Sequence, residues 1–417
     1  MNPVEQEPLK LRSGAVHVSM TSLQFDARVK RTISALRELG IDCVPLAPEA
    51  GLLASPMTFW RKLRMALTYP LLARMGKPGA RLVFWSFGFN RAALRALISL
   101  SPEVIHAHDW DALPVAAAAS KELGVPLIYD SHEYAREMHF ERVLWRLTMS
   151  RAIGLLEDFY IPQCAGVIAV SDGIADLLAE KSQLTNKPVV IRNIPQYANV
   201  RAERPSSGDV VLYYHGSLSA GKSIEDIVSA LPLLPANYKF RMIGPERQPG
   251  FVARVTALAK SLSVAERLEI LAAVEPEKLV KVASHADIGF CLLSSYSQHN
   301  RLALPNKLFE YIMAGLFCIV SSGPEMTKII NSHSAGMVLD KINAETIAQA
   351  VLSITPERIA QTRRANLKTS MSLNWEHEKA RLIDLYGRIM PSSKEGAADW
   401  RVSRSTAGTE SFGQKDR

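Results

Sequence analysis

At 417 residues, 47% of them hydrophobic and 22% charged, the chain is too long for one typical core and too apolar for a disordered or collagen-like polymer. No run approaches the roughly 20 apolar residues that cross a bilayer, and Met1 to Lys10 lacks the layout of a signal peptide, so a cytoplasmic location is expected. The net charge of +8 is local, because Arg61, Lys62, Arg64, Arg74, Lys77, Arg81, Arg91 and Arg95 fall between Glu49 and Glu103 with no acidic residue among them.

In chain order, Ala15 to Ser19 reads as a strand, and Asp26 caps a helix running to about Leu39, where Gly40 ends it. Phe59, Leu63 and Leu67 then recur at helical spacing opposite Arg61 and Arg64, which describes a basic amphipathic helix before Pro70. Its lack of acids suggests peripheral contact with an anionic membrane surface; no nucleic-acid partner is expected. Val104 to Ala107 leads into a helix from Asp111 to Leu123, Pro126 to Tyr129 into a helix-rich stretch, and Gly166 to Val170 into a helix from Asp172 to Lys181. Strands this short and apolar, each followed by a helix, imply a parallel sheet covered on both faces.

The polar stretch from Asn193 to Gly208 reads as a linker, after which the pattern restarts. Strands are expected over Asp209 to Tyr214, Lys239 to Ile243, Ala286 to Leu292 and Phe317 to Ser321, with helices over Ile224 to Leu234 and Lys307 to Ala314. The expected organisation is a first doubly wound domain over 1–195, a second over 209–373, a helix over 374–390 crossing back to the first, and a disordered tail over 391–417. Cys43, Cys164, Cys291 and Cys318 lie far apart without metal-ligand spacing, so packed free thiols are expected, with no disulfide and no structural zinc.

Three segments carry chemistry. Gly216-Ser217-Leu218-Ser219-Ala220-Gly221-Lys222-Ser223 follows a strand and opens a helix, the arrangement that holds phosphate, and Ser223 with Asp226 spells a capping box. It also fits the triphosphatase loop, but no later strand ends in the aspartate such an enzyme needs for magnesium. The run Asn306-Lys307-Leu308-Phe309-Glu310-Tyr311 starts a helix after Pro305, with Glu310 one turn beyond Asn306, placed to accept hydroxyl hydrogens while Lys307 faces phosphate. In the first half, His106-Ala107-His108-Asp109-Trp110-Asp111 ends a strand, with His132-Glu133 closing the next. Buried hydrogen-bonded histidines and a metal site both remain open for these residues.

The segments Leu304 to Ser322, Tyr214 to Asp226 and Val104 to Tyr134 together resemble the retaining GT-B glycosyltransferases of family 4, over roughly residues 14 to 390. The resemblance implies an α/β fold of two tandem Rossmann-like domains facing across a cleft. It implies metal-independent hexosyl transfer with retention, from a nucleotide diphosphate-sugar to a lipid-linked or polysaccharide acceptor, in making a cell-surface polysaccharide or glycolipid. No cofactor is implied. By the same resemblance Glu310 binds the donor ribose and Lys222 neutralises the departing diphosphate. Gly216, Ser217, Asn306, Lys307 and Leu308 line the phosphates, and Leu271 to Val274 lie by the nucleobase. His108 touches the transferred sugar, and Arg28 or Arg31 contacts the acceptor. Two positions depart from the pattern: Ser217 stands where many members have arginine, and Leu302 where many have a second glutamate. A sugar-nucleotide epimerase of the same shape and a non-catalytic nucleotide-sugar-binding protein are the alternatives.

Overall fold

The computed structural model describes residues 14–23, 26–48, 68, 74–140, 142–201, 208–294 and 296–390. The basic helix expected around Phe59 to Leu67, the middle of the linker and the tail lie outside the described residues.

Two parallel six-stranded sheets organise the chain. The first runs β2-β1-β3-β4-β5-β6, with β1 Gly14–Val18, β2 Asp42–Leu46, β3 Val104–His108, β4 Leu127–Ser131, β5 Gly166–Ala169 and β6 Val189–Val190. The second runs β12-β11-β10-β7-β8-β9, with β7 Val210–His215, β8 Tyr238–Ile243, β9 Leu268–Leu271, β10 Ile288–Cys291, β11 Phe317–Ser321 and β12 Gly336–Leu339. In each sheet the winding reverses once, between β1 and β3 in the first and between β7 and β10 in the second. In open α/β sheets, ligands bind at the carboxyl ends of the strands flanking such a reversal.

Helices cover both faces, which explains why every residue of β1, β3, β4 and β11 is buried. On one face of the first sheet, Val29, Ile33 and Leu36 of the helix Ala27–Arg37 pack with Trp375, Leu382, Leu385 and Tyr386 of the C-terminal helix Trp375–Ile389. That helix starts at Asn374, whose side chain accepts from the His377 amide, and it is tied to the first lobe through Arg192 and Glu378. The last described helix therefore completes the core of the first lobe.

All four cysteines are free, three of them buried. Within the described part of the basic window, Lys77 donates to the Asp158 carbonyl and the Arg81 guanidinium lies over the Phe159 ring, so both charges are engaged by the first lobe itself. Among the described residues no helix is long and apolar enough to cross a membrane.

Candidate functional site

The second lobe supplies a cluster around the reversal between β7 and β10. The strand β7 ends at His215 and the chain turns at Gly216, whose φ of +128° suits glycine. A side chain there would meet Lys307 Nζ at 3.3 Å, so the glycine also admits the lysine. The Gly216 amide donates to the Ile243 carbonyl, so any contact of Gly216 with phosphate would come from its small size and turn rather than from that donor. Ser217 follows, its carbonyl accepting from the Tyr214 hydroxyl at 3.0 Å. Ser223 does not cap the next helix: it sits at φ +55° with no side-chain bond to the helix start, and the Asp226 carboxylate bonds to it instead.

The helix Asn306–Ala314 starts directly after Pro305 and aims its first turn at this cluster. Lys307 Nζ lies 4.0 Å from the centre of the Tyr214 ring, a cation–π contact beside the Gly216 turn. Leu308 is fully buried and its amide donates to the Pro305 carbonyl, so it shapes the turn without offering a donor. Glu310 Oε2 lies 2.6 Å from His215 Nε2. The Cys291 thiol at the end of β10 is pushed up to about 11 by burial, against the charges of Lys307 and Lys222 and with that of Glu310. Val274, three residues beyond β9, packs against the same lobe's core.

The first lobe presents a buried polar network at the carboxyl ends of β1, β3 and β4. His17 Nδ1 is 3.0 Å from His108 Nε2, and His108 Nδ1 is 3.1 Å from His132 Nε2. His132 Nδ1 faces Asp109 at 3.4 Å. Beneath them Arg28 grips both oxygens of Asp130, at 2.8 and 2.7 Å. Burial would raise Asp130, but Arg28 and then His132 hold its carboxyl well below the usual carboxylate range. Burial would likewise lower His132, yet Asp109 and Asp130 raise it to about 9, so it is an imidazolium at neutral pH. His108 is shifted the other way, chiefly by burial, and stays neutral.

This geometry revises the first-lobe assignments. His108 is 1% exposed with both ring nitrogens turned to other histidines, because it is still within β3; the histidine with surface access is His132, at 14% and one residue beyond β4. Arg28 is 3% exposed and committed to Asp130 and the Ile191 carbonyl, so its charge serves the core rather than an acceptor. Arg31 lies over the Trp375 ring and donates to Asn193 where the two lobes meet. Burial lowers it to about 10, with Glu310 and Glu277 of the second lobe acting in the opposite sense.

Among the described residues two groups could bring three metal-ligating atoms within 4.8 Å, His17 with His106 and His108, and His108 with Asp130 and His132. In the first, His17 Nδ1 and His108 Nε2 already face each other at 3.0 Å, and His106 Nδ1 lies 2.8 Å from the Tyr386 hydroxyl. In the second, Arg28 already occupies both Asp130 oxygens.

The lobes are joined beside the cleft by reciprocal capping. Glu325 of the second lobe accepts from the Gly173 amide, in the first turn of the helix Asp172–Lys181, at 2.7 Å. Glu137 of the first accepts from the Gln298 amide at the start of Gln298–Leu302, also at 2.7 Å. Ser171 donates to the Leu302 carbonyl at 2.7 Å, and Lys328 pairs with Asp172 at 2.9 Å. A side chain at Gly173 would meet Leu302 at 2.6 Å and Glu325 at 2.8 Å. Gly173→Val is therefore expected to prop the lobes apart, lowering kcat and raising KM together, with a larger radius of gyration by X-ray scattering. An unchanged radius and unchanged kinetics would show that the latch is unnecessary.

Models of known families match both lobes: Glycosyltransferase Family 4 over residues 27–194 and Glycosyl transferases group 1 over residues 196–369. The chain belongs to the family 4, group 1 glycosyltransferases, and its fold is GT-B. A glycogen synthase from Mycobacterium tuberculosis is 24% identical over 306 residues, 69% of this chain and 70% of that protein. Sucrose-phosphate synthase from Thermosynechococcus elongatus superposes with a TM-score of 0.69 at 14% identity, over 92% of this chain and 100% of that one. The Anabaena protein HepE, solved in complex with UDP-glucose, gives 0.64 at 13% identity over 90% and 99%. WaaG, a glycosyltransferase involved in lipopolysaccharide biosynthesis, gives 0.63 at 15% over 89% and 100%.

Proposed function

We propose that this glycosyltransferase moves a hexosyl unit, with retention and without a metal ion, from a nucleoside diphosphate sugar to a lipid-linked or polysaccharide acceptor. The observation that carries this reading is that the Gly216 turn, Lys307 and Glu310 come together at the β7–β10 reversal. Glu310 takes the ribose, and Lys222, Lys307 and the start of the helix Asn306–Ala314 neutralise the leaving diphosphate. Two lysines supply the positive charge that an ion would otherwise bring. The His132 imidazolium faces the donor sugar from the first lobe, with His108 as its support, and Arg31 lies on the acceptor's approach. The acceptor hydroxyl attacks on the face the diphosphate leaves, passing its proton to the departing phosphate oxygen.

HepE with UDP-glucose and the lipopolysaccharide enzyme WaaG support a nucleotide-sugar donor and a cell-surface product. The basic window supports work at the inner face of the cytoplasmic membrane, peripheral to it. Thermal shift with UDP-, GDP- and ADP-sugars, followed by nucleoside diphosphate release with and without polyprenyl-phosphate-linked or oligosaccharide acceptors, tests the reading. One donor is expected to stabilise the fold, and release is expected to require acceptor. Sugar inversion without acceptor would identify an epimerase, and donor binding without turnover on any acceptor a binding protein.

A further inference from the structure

We propose that His215 is a positioning residue that makes the site selective for a ribose-bearing nucleotide, acting through Glu310. The inference rests on the reading of Glu310 as the ribose-binding carboxylate. His215 is the last residue of β7, at the point where the second sheet's winding reverses. Its Nε2 lies 2.6 Å from Glu310 Oε2, with side-chain exposures of 3% and 13%. A carboxylate can only accept, so the imidazole proton is on Nε2. The other nitrogen, Nδ1, is buried with no hydrogen-bond partner among the described residues. A histidine kept for architecture alone has both nitrogens satisfied as a rule. Among the described residues the ring's one polar engagement is the Glu310 carboxylate.

The ring has little freedom to do anything else. Its edge packs against Tyr213, with centroids 5.5 Å apart, and against Tyr311, at 5.0 Å. The His215 amide donates to the Tyr311 hydroxyl at 3.2 Å, and that hydroxyl donates to the Phe290 carbonyl at 3.3 Å. Strand, tyrosine and imidazole together fix a glutamate that would otherwise sample several rotamers on an open helix turn. With Oε2 held by His215, the remaining lone pairs of the carboxylate have a set direction for a ribose diol. A site built around such a bond rejects an analogue lacking the hydroxyls, because the carboxylate then loses its partner.

Calorimetric titration with UDP and 2′,3′-dideoxy-UDP tests this, repeated with GDP, ADP and their dideoxy forms. The wild-type protein is expected to prefer the ribonucleotide by at least about tenfold. His215→Gln carries its amide nitrogen close to the position of Nε2 and should keep that preference. His215→Asn ends nearer the position of Nδ1, remains polar, and should lose both the preference and about tenfold in ribonucleotide affinity. In a Glu310→Gln background the His215 substitutions should add nothing. If the wild type shows the preference and His215→Asn retains it, His215 is not the positioning group and the Glu310 reading stands. If the wild type binds no nucleoside diphosphate, or binds without a ribose preference, the Glu310 reading fails and this inference with it.

Discussion

Lys222→Ala is expected to lower kcat for transfer by about 10²–10³-fold while leaving the melting temperature near that of the wild type. The charge that grows on the diphosphate as the sugar leaves must be met by groups already in place. Lys222 comes from the turn after β7, and its field reaches Cys291 in its own lobe and Glu133 across the cleft. Ser217 stands where the family resemblance would put an arginine, and we propose that Lys307, beside Lys222, supplies the missing charge. Steady-state kinetics separate this loss from that at Glu310. A ribose contact is made in the ground state and the transition state alike, so Glu310→Ala should mainly raise KM, whereas Lys222→Ala should mainly lower kcat. Full activity in Lys222→Ala would remove the lysine from the mechanism.

The largest expected effect on stability is at Asp130. Asp130→Ala leaves the Arg28 guanidinium buried and uncompensated, and removes the carboxylate that helps keep His132 charged. Breaking a buried pair from one side costs about 3–5 kcal/mol. For a lobe of this size that lowers the first unfolding transition by roughly 10 °C. The double change Arg28→Met with Asp130→Leu should recover much of the loss, since a buried pair replaced by apolar groups of similar volume is often neutral. Calorimetry on the wild type and the two variants gives the comparison. Asp130→Ala melting with the wild type would mean that the pair contributes nothing.

The fold was legible where strands are buried on both faces. β1, β3, β4, β7, β10 and β11 each announce themselves as a short apolar run before a helix. The edge strands were not, because their outer side needs no apolar cover: β2 contains Asp42 and Pro45, and β9 alternates half-buried with exposed residues. A second-lobe candidate site could be proposed from the sequence because its parts are contiguous, the Gly216 turn in one stretch and the Glu310 helix turn in another. The first-lobe site was not, because its logic is long-range. Arg28 and Asp130 are 102 residues apart, and nothing local to Arg28 says that its partner waits in β4. His108 and His132 both follow apolar runs, and one residue of strand length decides which is buried. His215 gave no signal, since a histidine before a glycine turn acquires meaning only when Glu310 is brought against it.

The most direct measurement is a structure with a nucleoside diphosphate bound, obtained with UDP or with whichever of GDP and ADP stabilises the protein. The pyrophosphate should lie between Lys222 Nζ and the first turn of the helix Asn306–Ala314, with the ribose hydroxyls on Glu310. A nucleotide seated elsewhere, with Lys222 and Glu310 turned away from it, would contradict the assignment of the second lobe as the donor site.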